Sequence, residues 1–289
     1  MSLEMALTRG VFRLVPRMLD SEELTRRSMA LPRRGARVPC WMRRKHRISA
    51  TTVAGMRVTR VEPRATGSGT VVVYLHGGAY VSPISWAHWL LIDALVERTG
   101  AAAVVPAYPR APEHTAAEAF APLGVLMDQV LDAPGRAVLA GDSAGGGLAL
   151  SLAIQRRDAG VRAPEGLVLF SPWVDVSMSN PRIAPMARLD PMLGIDGLVW
   201  CGKEWAGGLG TADPRVSPLR GLPPTRVYQG DRDILLPDVE LFARKARARG
   251  ADIRLRVEPG GIHDYVALVS SPEARAALDS VAAFVSSLD

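Results

Sequence analysis

The segment Gly141-Asp142-Ser143-Ala144-Gly145 constrains the fold more than any other part of the sequence. It follows the apolar run Ala137–Ala140, which predicts a buried strand, and it precedes an Ala/Leu-rich helical segment. A G-x-S-x-G pattern in this context predicts a tight turn whose glycines let the strand and the helix approach. Ser143 would then lie at a helix N-terminus, where backbone N–H groups favour negative charge. Ser143 is therefore the candidate nucleophile. The alternative is an ordinary strand-to-helix turn, in which Gly and Ser are common.

From Val71 onward, short apolar runs alternate with longer helical segments. This alternation predicts βαβ units and a mainly parallel sheet with helices on both faces. Residues Val53–Val61 are predicted to form an edge strand or one arm of a hairpin. Helices are predicted at 86–98, 115–131, 145–158, 237–249 and 273–287. The other predicted strands are Val71–Leu75, Ala102–Ala107, Ala137–Ala140, Leu167–Phe170, Arg226–Gln229 and Ile253–Val257.

The alternation breaks once, between about Asp175 and Val216, in a stretch rich in Pro, Met and Gly. An insertion at this point would lie above the carboxyl ends of the strands, where ligands bind in open α/β sheets. It contains Met192, Trp200 and Trp205, and together with Trp86 these are the candidate substrate-pocket residues.

Composition narrows the classes of protein to consider. The 289 residues are 48% apolar, enough for one large core or at most two domains. The net charge is +6, but residues 1–60 carry 14 Lys and Arg against 4 Asp and Glu, so the rest is mildly acidic. A nucleic-acid-binding protein would need a basic face on its folded domain, so no nucleic-acid partner is expected. The two cysteines form neither a disulfide framework nor a metal set.

Known targeting and cofactor patterns are not found in the sequence. There is no membrane-spanning apolar run and no secretory signal pattern, so the expected location is cytoplasmic. Neither H-E-x-x-H, C-x-x-C nor a phosphate-binding G-x-x-x-x-G-K-[ST] occurs, so no metal and no cofactor are expected.

The N-terminal segment predicts a basic amphipathic helix. Its apolar residues recur at helical spacing, and its arginines lie four apart on another face. One interpretation is a lid or a helix lying on a membrane surface. The favoured interpretation is a helix packed on its own domain with its arginines in solvent. The apolar positions are Leu3, Leu7, Val11, Leu14 and Met18, and the basic ones are Arg9, Arg13 and Arg17.

A second small-residue loop, His76-Gly77-Gly78-Ala79-Tyr80, follows the strand Val71–Leu75. A serine nucleophile attacking a carbonyl needs backbone N–H donors for the oxyanion from a loop after an earlier strand. Small residues allow the close approach that such donors require. A simple Gly-Gly turn is the alternative, but the position ahead of the serine turn favours the functional interpretation.

A serine hydroxyl also needs a base within hydrogen-bond reach. In this type of fold the chain order is nucleophile, acid, histidine. His263 is the only histidine after Ser143 and follows the last predicted strand, so it is the candidate base. The others are predicted to lie on the surface (His46), to support the glycine loop (His76) or to lie early in helices (His88 and His114).

Two aspartates compete for the acid, in the segment Gly230-Asp231-Arg232-Asp233-Ile234-Leu235. Asp233 precedes the apolar Ile-Leu pair and is better placed to turn inward. Asp231 is expected to cap the turn or to face Arg232. The role predicted for Asp233 is to hold the imidazole tautomer and to stabilise the imidazolium.

Over roughly residues 70–285 the chain resembles the bacterial hormone-sensitive-lipase-like family of esterases. The resemblance rests on an ordered series of motifs, which is more specific than any one of them. The series is His76-Gly77-Gly78-Ala79-Tyr80, Tyr108-Pro109-Arg110-Ala111-Pro112-Glu113-His114, Gly141-Asp142-Ser143-Ala144-Gly145-Gly146, Ser171-Pro172-Trp173-Val174-Asp175, Asp213-Pro214-Arg215-Val216-Ser217-Pro218-Leu219, Gly230-Asp231-Arg232-Asp233 and His263-Asp264-Tyr265.

This resemblance implies an α/β-hydrolase fold with an eight-stranded, mostly parallel sheet and a helical cap. The cap would combine residues 1–50 with an insertion at about 176–212, on a core of residues 51–289. The implied oxyanion donors are the amides of Gly78, Ala79 and Ala144; Ala79 replaces a commoner glycine, and its methyl group is expected to narrow the acyl pocket. The motif around Glu113 would support the oxyanion loop.

The expected activity is hydrolysis of small carboxylic esters, with short- to medium-chain acyl groups. A membrane-surface lipase acting on longer chains is an alternative, with weak membrane contact through the basic N-terminal helix. A non-catalytic binding protein of the same fold is disfavoured because Ser143, Asp233 and His263 are all present. Family members often pair through sheet edges, so a homodimer is also considered.

Overall fold

The computed structural model describes residues 1–29, 34–65, 67–207 and 219–288. Their strands form one eight-stranded sheet in the order β1-β2-β4-β3-β5-β6-β7-β8. Strand β2 pairs antiparallel with β1 on one side and with β4 on the other, and all other neighbouring strands are parallel. The strands are β1 (His46–Val53), β2 (Met56–Pro63), β3 (Thr70–Leu75), β4 (Ala102–Pro106), β5 (Arg136–Asp142), β6 (Gly166–Phe170), β7 (Thr225–Arg232) and β8 (Ile253–Ile262).

Helices follow most of the parallel strands, as the alternation predicts. They are α1 (Leu3–Leu14), α2 (Glu22–Met29), α3 (Met42–Lys45), α4 (Trp86–Thr99), α5 (Ala116–Asp132), α6 (Ser143–Asp158), α7 (Ile183–Met186), α8 (Ile195–Ala206), α9 (Leu236–Ala248) and α10 (Pro272–Ser286). Helix α4 packs against α10, and α6 packs along β5 and β6. The predicted eight-stranded, mostly parallel sheet with flanking helices is confirmed.

The central strands are buried along their whole length, because helices cover them. Every residue of β4 and β6 is buried, and β5 is buried from its second residue. Apolar runs without alternation are typical of such strands. The carboxyl ends of β3, β5, β7 and β8 lead into the loops that carry the candidate site residues.

The N-terminal segment joins the connection between β6 and β7, where the sequence alternation breaks. The Met18 amide donates to the Met192 carbonyl at 2.7 Å, and the Gly194 amide donates to the Met18 carbonyl at 3.0 Å. A Cβ atom on Gly197 would lie 2.3 Å from the Leu19 carbonyl oxygen, so this close approach requires glycine. The expected end of the insertion near residue 212 and the segment Asp213–Pro218 lie outside the described residues.

Helix α1 packs on the domain through a different face from the one expected. Met5 is its buried residue, whereas Leu3, Leu7, Val11 and Leu14 are between 59% and 87% exposed. The helix packs on its own domain, as favoured, but it does so through Met5 and its contact with β8, and the apolar stripe faces solvent. No helix within the described ranges is long and apolar enough to cross a bilayer.

Candidate active site

Ser143 lies at the point where β5 ends and α6 begins, in a turn that only glycine neighbours allow. A Cβ atom on Gly145 would lie 2.0 Å from the Leu75 carbonyl oxygen, and one on Gly141 would lie 2.5 Å from Gly145. Ser143 itself has φ +49°, a left-handed conformation that costs an L residue about 1–2 kcal/mol. The surrounding strand and helix hold this strained turn and aim the hydroxyl into a cavity.

Ser143, His263 and Asp233 form a hydrogen-bonded series. The Asp233 Oδ2 is 2.8 Å from His263 Nδ1, and His263 Nε2 is 3.0 Å from Ser143 Oγ. A carboxylate only accepts, so Nδ1 carries a proton and the Nε2 of the neutral ring can accept the serine proton. All three side chains are buried, and the sequence separates them by 120 and 30 residues.

Asp233 is fixed by two further donors. Its Oδ2 accepts from Gln229 Nε2 at 2.6 Å, and its Oδ1 accepts from the Leu235 amide at 2.9 Å. The competing Asp231 lies elsewhere: it accepts from the Gly260 amide at 2.6 Å and pairs with Arg232 at 3.4 Å. Of the two aspartates, Asp233 is therefore the one that contacts His263.

The loop after β3 has three successive residues in left-handed conformations. Gly78, Ala79 and Tyr80 have φ values of +111°, +52° and +62°. A Cβ atom on Gly78 would lie 2.9 Å from Ser82, so glycine is needed there. Gly78 and Ala79 line the same cavity as Ser143, and Ala144 follows Ser143 in the first turn of α6. Runs of backbone N–H groups in such curled segments make anion-binding concavities.

Buried polar groups hold this loop from behind. The Gly77 amide donates to Asp142 Oδ2 at 3.0 Å, and the Tyr108 hydroxyl donates to the His76 carbonyl at 2.7 Å. Arg110 Nη1 donates to the Val81 carbonyl at 3.0 Å. Burial, followed by the neighbouring His88 charge, lowers the pKa of His76 to about 3, so its neutral ring can donate from Nδ1 to the Gly77 carbonyl. The motif 108–114 thus supports the loop through Tyr108 and Arg110.

Sequence reasoning missed the role of Asp142 and His88. Asp142 accepts from Tyr74 Oη at 2.5 Å as well as from Gly77, and His88 Nε2 lies 3.1 Å from its Oδ2. Burial raises the pKa of Asp142, but His88 and Tyr74 outweigh burial and lower it to about 2. Burial likewise lowers the pKa of His88, and the charge and hydrogen bond of Asp142 raise it overall. Because the second residue of G-x-S-x-G varies, the motif alone gives no signal for this role.

Two further carboxyl groups adjoin the series and were also missed. Asp190 is fully buried and accepts from the amides of Met192, Leu193 and Ile234, so it connects the β6–β7 segment to the Asp233 loop. Burial, then the charge of Asp233, raises the pKa of Asp190 to about 6. Asp264 Oδ2 lies 3.3 Å from His263 Nε2. Its position next to His263 in the sequence was the available signal.

The cavity above Ser143 has a volume of about 680 Å³ and mostly apolar walls. Met192 lines it, as expected, but Trp86, Trp200 and Trp205 do not. Trp86 is 59% exposed, Trp200 is buried beneath Arg26, and Trp205 stacks on Tyr80 with ring centroids 4.3 Å apart. The large apolar wall residues are Phe12, Met18, Leu19, Leu24, Met29, Leu91, Met192, Leu193, Leu198, Ile262 and Leu268.

Among the residues that the structure describes, no three His, Cys, Asp or Glu side chains are grouped so that they could hold a metal ion. The polar residues that line the cavity with Ser143 include His263, Asp264 and the residues of the loop at Gly78 and Ala79. Such a set can move protons and stabilise an oxyanion without a cofactor.

Comparisons with known proteins identify the same fold. A family model described as alpha/beta hydrolase fold matches residues 72–267. An esterase of Acinetobacter venetianus is 31% identical over 247 residues, covering 82% of this chain and 81% of that protein. A triacylglycerol lipase of Mycobacterium tuberculosis is 35% identical over 228 residues, which are 76% of this chain but only 47% of that protein.

A crystal structure of EstE5 soaked with p-nitrophenyl butyrate superimposes with a TM-score of 0.84 and 27% identity, covering 99% of this chain and 98% of the other. The resemblance drawn from the motif series is therefore confirmed. The chain belongs to the alpha/beta hydrolase fold family.

Proposed function

We propose that this protein hydrolyses small carboxylic esters by two-step acyl transfer. The observation that carries the proposal is the hydrogen-bonded series Asp233–His263–Ser143, which opens into an apolar cavity beside the curled loop at Gly78 and Ala79. Similarity to proteins named esterase and triacylglycerol lipase supports the same class of reaction.

In the proposed first step, Ser143 attacks the ester carbonyl while His263 Nε2 accepts the serine proton. The amides of Gly78, Ala79 and Ala144 donate to the resulting oxyanion, and Asp233 stabilises the imidazolium. The imidazolium then protonates the leaving alcohol, which leaves an acyl group on Ser143. In the second step His263 activates water, and the same amides stabilise the second oxyanion.

Residues 1–50 and the segment from about 176 to 212 are proposed to form a cap over the cavity. The support is that α2 packs on α8, and that Phe12, Leu24 and Met29 line the cavity together with Leu193 and Leu198. Apolar walls of this kind suit the acyl chain, and the volume of about 680 Å³ is typical of small-molecule sites.

Hydrolysis of p-nitrophenyl esters from acetate to dodecanoate, with the native chain and Ser143→Ala side by side, tests this function. We expect turnover of short and medium chains by the native protein and loss of at least about 10⁴-fold in the variant. Native-like circular dichroism of the variant is the control for folding. Equal turnover by both proteins would contradict the assignment.

A second candidate is a lipase that works at a membrane surface, and the exposed stripe of α1 favours it. Leu3, Leu7, Val11 and Leu14 face solvent, and Met18 and Leu24 continue this apolar surface to the cavity mouth. Arg9, Arg13 and Arg17 lie in the same segment, so an anionic lipid surface is the partner that matches its charge.

Binding to phosphatidylglycerol vesicles, compared with phosphatidylcholine vesicles, tests the second candidate. Leu7→Gln should weaken binding to anionic vesicles at least fivefold while leaving turnover of a soluble short-chain ester unchanged, because Leu7 does not line the cavity. Equal binding by the native protein and the variant would contradict it. A homodimer that pairs through sheet edges is the remaining proposal, and light scattering of the native protein would detect it.

A further inference from the structure

His263 Nε2 has two oxygen atoms close to it, not one. Ser143 Oγ is 3.0 Å away, and Asp264 Oδ2 is 3.3 Å away. The Asp264 backbone has φ +52°, and its amide donates to Ser171 Oγ at 3.0 Å, so the backbone of this residue is held in place. Its Oδ1 is buried and accepts no hydrogen bond from any residue in the described part of the chain.

The electrostatic surroundings of this contact are acidic on several sides. Asp142 faces Asp264 from the serine turn, and Asp233 and Asp190 face the imidazole from the β7 loop and from the β6–β7 segment. Opposing charge comes from His88 on α4. At the cavity wall, the segment after α1 contributes one arginine and one aspartate, Arg17 and Asp20.

We propose that Asp264 is a further catalytic residue, which shares one proton with His263 and thereby sets the pH above which ester hydrolysis begins. This inference rests on the proposed function. The shared proton lies on either Nε2 or Oδ2. With the proton on Nε2, the ion pair with Asp264 Oδ2 at 3.3 Å leaves no lone pair on Nε2, so Nε2 cannot accept the proton of Ser143.

Loss of that proton to solvent leaves a neutral imidazole, with its remaining proton on Nδ1 toward Asp233, and an ionised Asp264. Nε2 is then free to accept from Ser143 Oγ, and the Asp264 carboxylate stabilises the imidazolium that forms during attack. The pair titrates as a unit, so its apparent pKa belongs to both groups.

The pKa directions agree with this geometry. Burial lowers the pKa of His263, but the charges of Asp264 and Asp233 outweigh burial and raise it to about 10. Burial raises the pKa of Asp264; the charge of His263 opposes this rise, and the charges of Asp142 and Asp233 add to it. Both shifts keep the proton on the pair to a higher pH. The activity should therefore rise with pH, and the midpoint of this rise (the acid limb of the profile) should lie in the alkaline range.

The test is the pH dependence of kcat/KM for hydrolysis of a soluble butyrate ester between pH 5.5 and pH 10, followed by acid release in a pH-stat. We compare the native chain with Asp264→Asn and Asp264→Gly, because both replacements tolerate the left-handed backbone. Asp20→Asn is the matched control, since it removes a carboxylate from the same cavity that makes no described contact with His263.

We expect the midpoint of the acid limb of kcat/KM to fall by at least one pH unit in both Asp264 variants. Asp20→Asn should leave the midpoint pH of the acid limb within about 0.3 unit of the native value. An unchanged limb in both Asp264 variants, or an equal shift in Asp20→Asn, would overturn the proposal.

A second measurement does not depend on turnover. In protein labelled with ¹⁵N-histidine, the His263 ring nitrogens should titrate at a lower pH in Asp264→Asn than in the native chain. If no ester is hydrolysed, the proposed function fails while this titration still decides the proton sharing. Identical titration curves would contradict the inference even in an active esterase.

Discussion

The floor and the roof of the cavity are built in different ways. The floor comprises Ser143, Asp233, His263 and the loop 76–80, and its polar groups are buried and hydrogen-bonded to one another or to Asp142, Gln229 and Tyr108. The roof comprises α1, α2, α8 and the segment 187–194, and it meets the cavity mainly through apolar side chains. Several apolar residues of α1 also face solvent.

This difference indicates that the floor serves the chemical steps and that the roof serves selection of the acyl chain. Proton transfer and oxyanion stabilisation need groups held within a fraction of an ångström, and hydrogen bonds in a buried setting provide that precision. Selection of an acyl chain needs only apolar area and volume, which adaptable Leu and Met side chains supply. Changes in the floor should therefore alter kcat for every substrate, and changes in the roof should alter the ranking of substrates.

The largest expected effect is in the floor. His263→Ala should reduce kcat by about 10⁴-fold or more on all ester lengths, because Ser143 then lacks a base. Asp233→Asn should cost about 10⁴-fold, since the amide no longer holds the correct imidazole tautomer. Steady-state rates on acetate and decanoate esters measure both. A loss confined to one chain length would contradict the division between floor and roof.

Asp142→Asn should have the next largest effect. The loop 76–80 would lose the charged acceptor of its Gly77 amide, and a hydrogen bond to a charged group is worth about 1.5–3 kcal/mol. We expect kcat to fall roughly ten- to hundredfold, with KM changed less than threefold. A rise in KM with an unchanged kcat would show that Asp142 serves substrate binding instead.

The Asp142→Asn variant should also differ from the native protein in how much folding stability it loses at acidic pH. The pKa of Asp142 is lowered in the folded state to about 2, so its stabilisation is present above the ordinary value of 3.8 and is lost as the pH falls toward 2. Urea unfolding of the native protein should lose more stability between pH 4.5 and pH 2.5 than that of Asp142→Asn. Parallel losses in the two proteins would mean that the His88 and Tyr74 contacts contribute no such linkage.

A roof substitution should change chain-length preference and little else. Leu24 lines the cavity and is 53% exposed, so Leu24→Gln removes apolar wall without leaving a buried polar group. We expect kcat/KM for decanoate to fall about three- to tenfold, with acetate unchanged. Leu7→Gln is the control, because Leu7 is exposed on α1 but does not line the cavity. An equal loss on acetate would contradict the comparison.

The smallest effect concerns Ala79. Its φ of +52° costs an alanine about 1–2 kcal/mol, whereas glycine adopts this conformation freely. After the larger chain entropy of unfolded glycine is subtracted, Ala79→Gly should stabilise the fold by at most about 1 kcal/mol. Denaturant unfolding measures the change. A destabilisation of that size would mean that packing of the Ala79 methyl outweighs the backbone strain.

The fold and the grouping of Ser143 and His263 at one cavity were predictable, because they depend on local patterns that need no tertiary information. The buried runs of β3, β5 and β6 contain no polar alternation, and the glycines around Ser143 mark a turn that excludes side chains. Chain order then singled out His263, the only histidine after the serine, as the base.

The remaining features depend on contacts between distant segments. Asp142 and His88 are 54 residues apart in the sequence, and Asp190 is 44 residues from Ile234, whose amide it accepts from. No local sequence pattern therefore predicts either contact. The prediction that Trp200 and Trp205 line the pocket also depends on contacts between distant segments. Both side chains pack inside the protein rather than facing the cavity. The stripe of α1 has the periodicity of a buried face, and periodicity does not reveal whether a partner covers it.

The central claim is that the floor activates Ser143 as a nucleophile, and covalent labelling tests it most directly. The native chain, Ser143→Ala and His263→Ala would be incubated with a fluorophosphonate at pH 9, and intact mass and peptide mapping would locate the adduct. The account predicts one adduct per native chain, on Ser143, none in Ser143→Ala and strongly slowed labelling in His263→Ala. Labelling of another serine, or labelling of His263→Ala at the native rate, would contradict it.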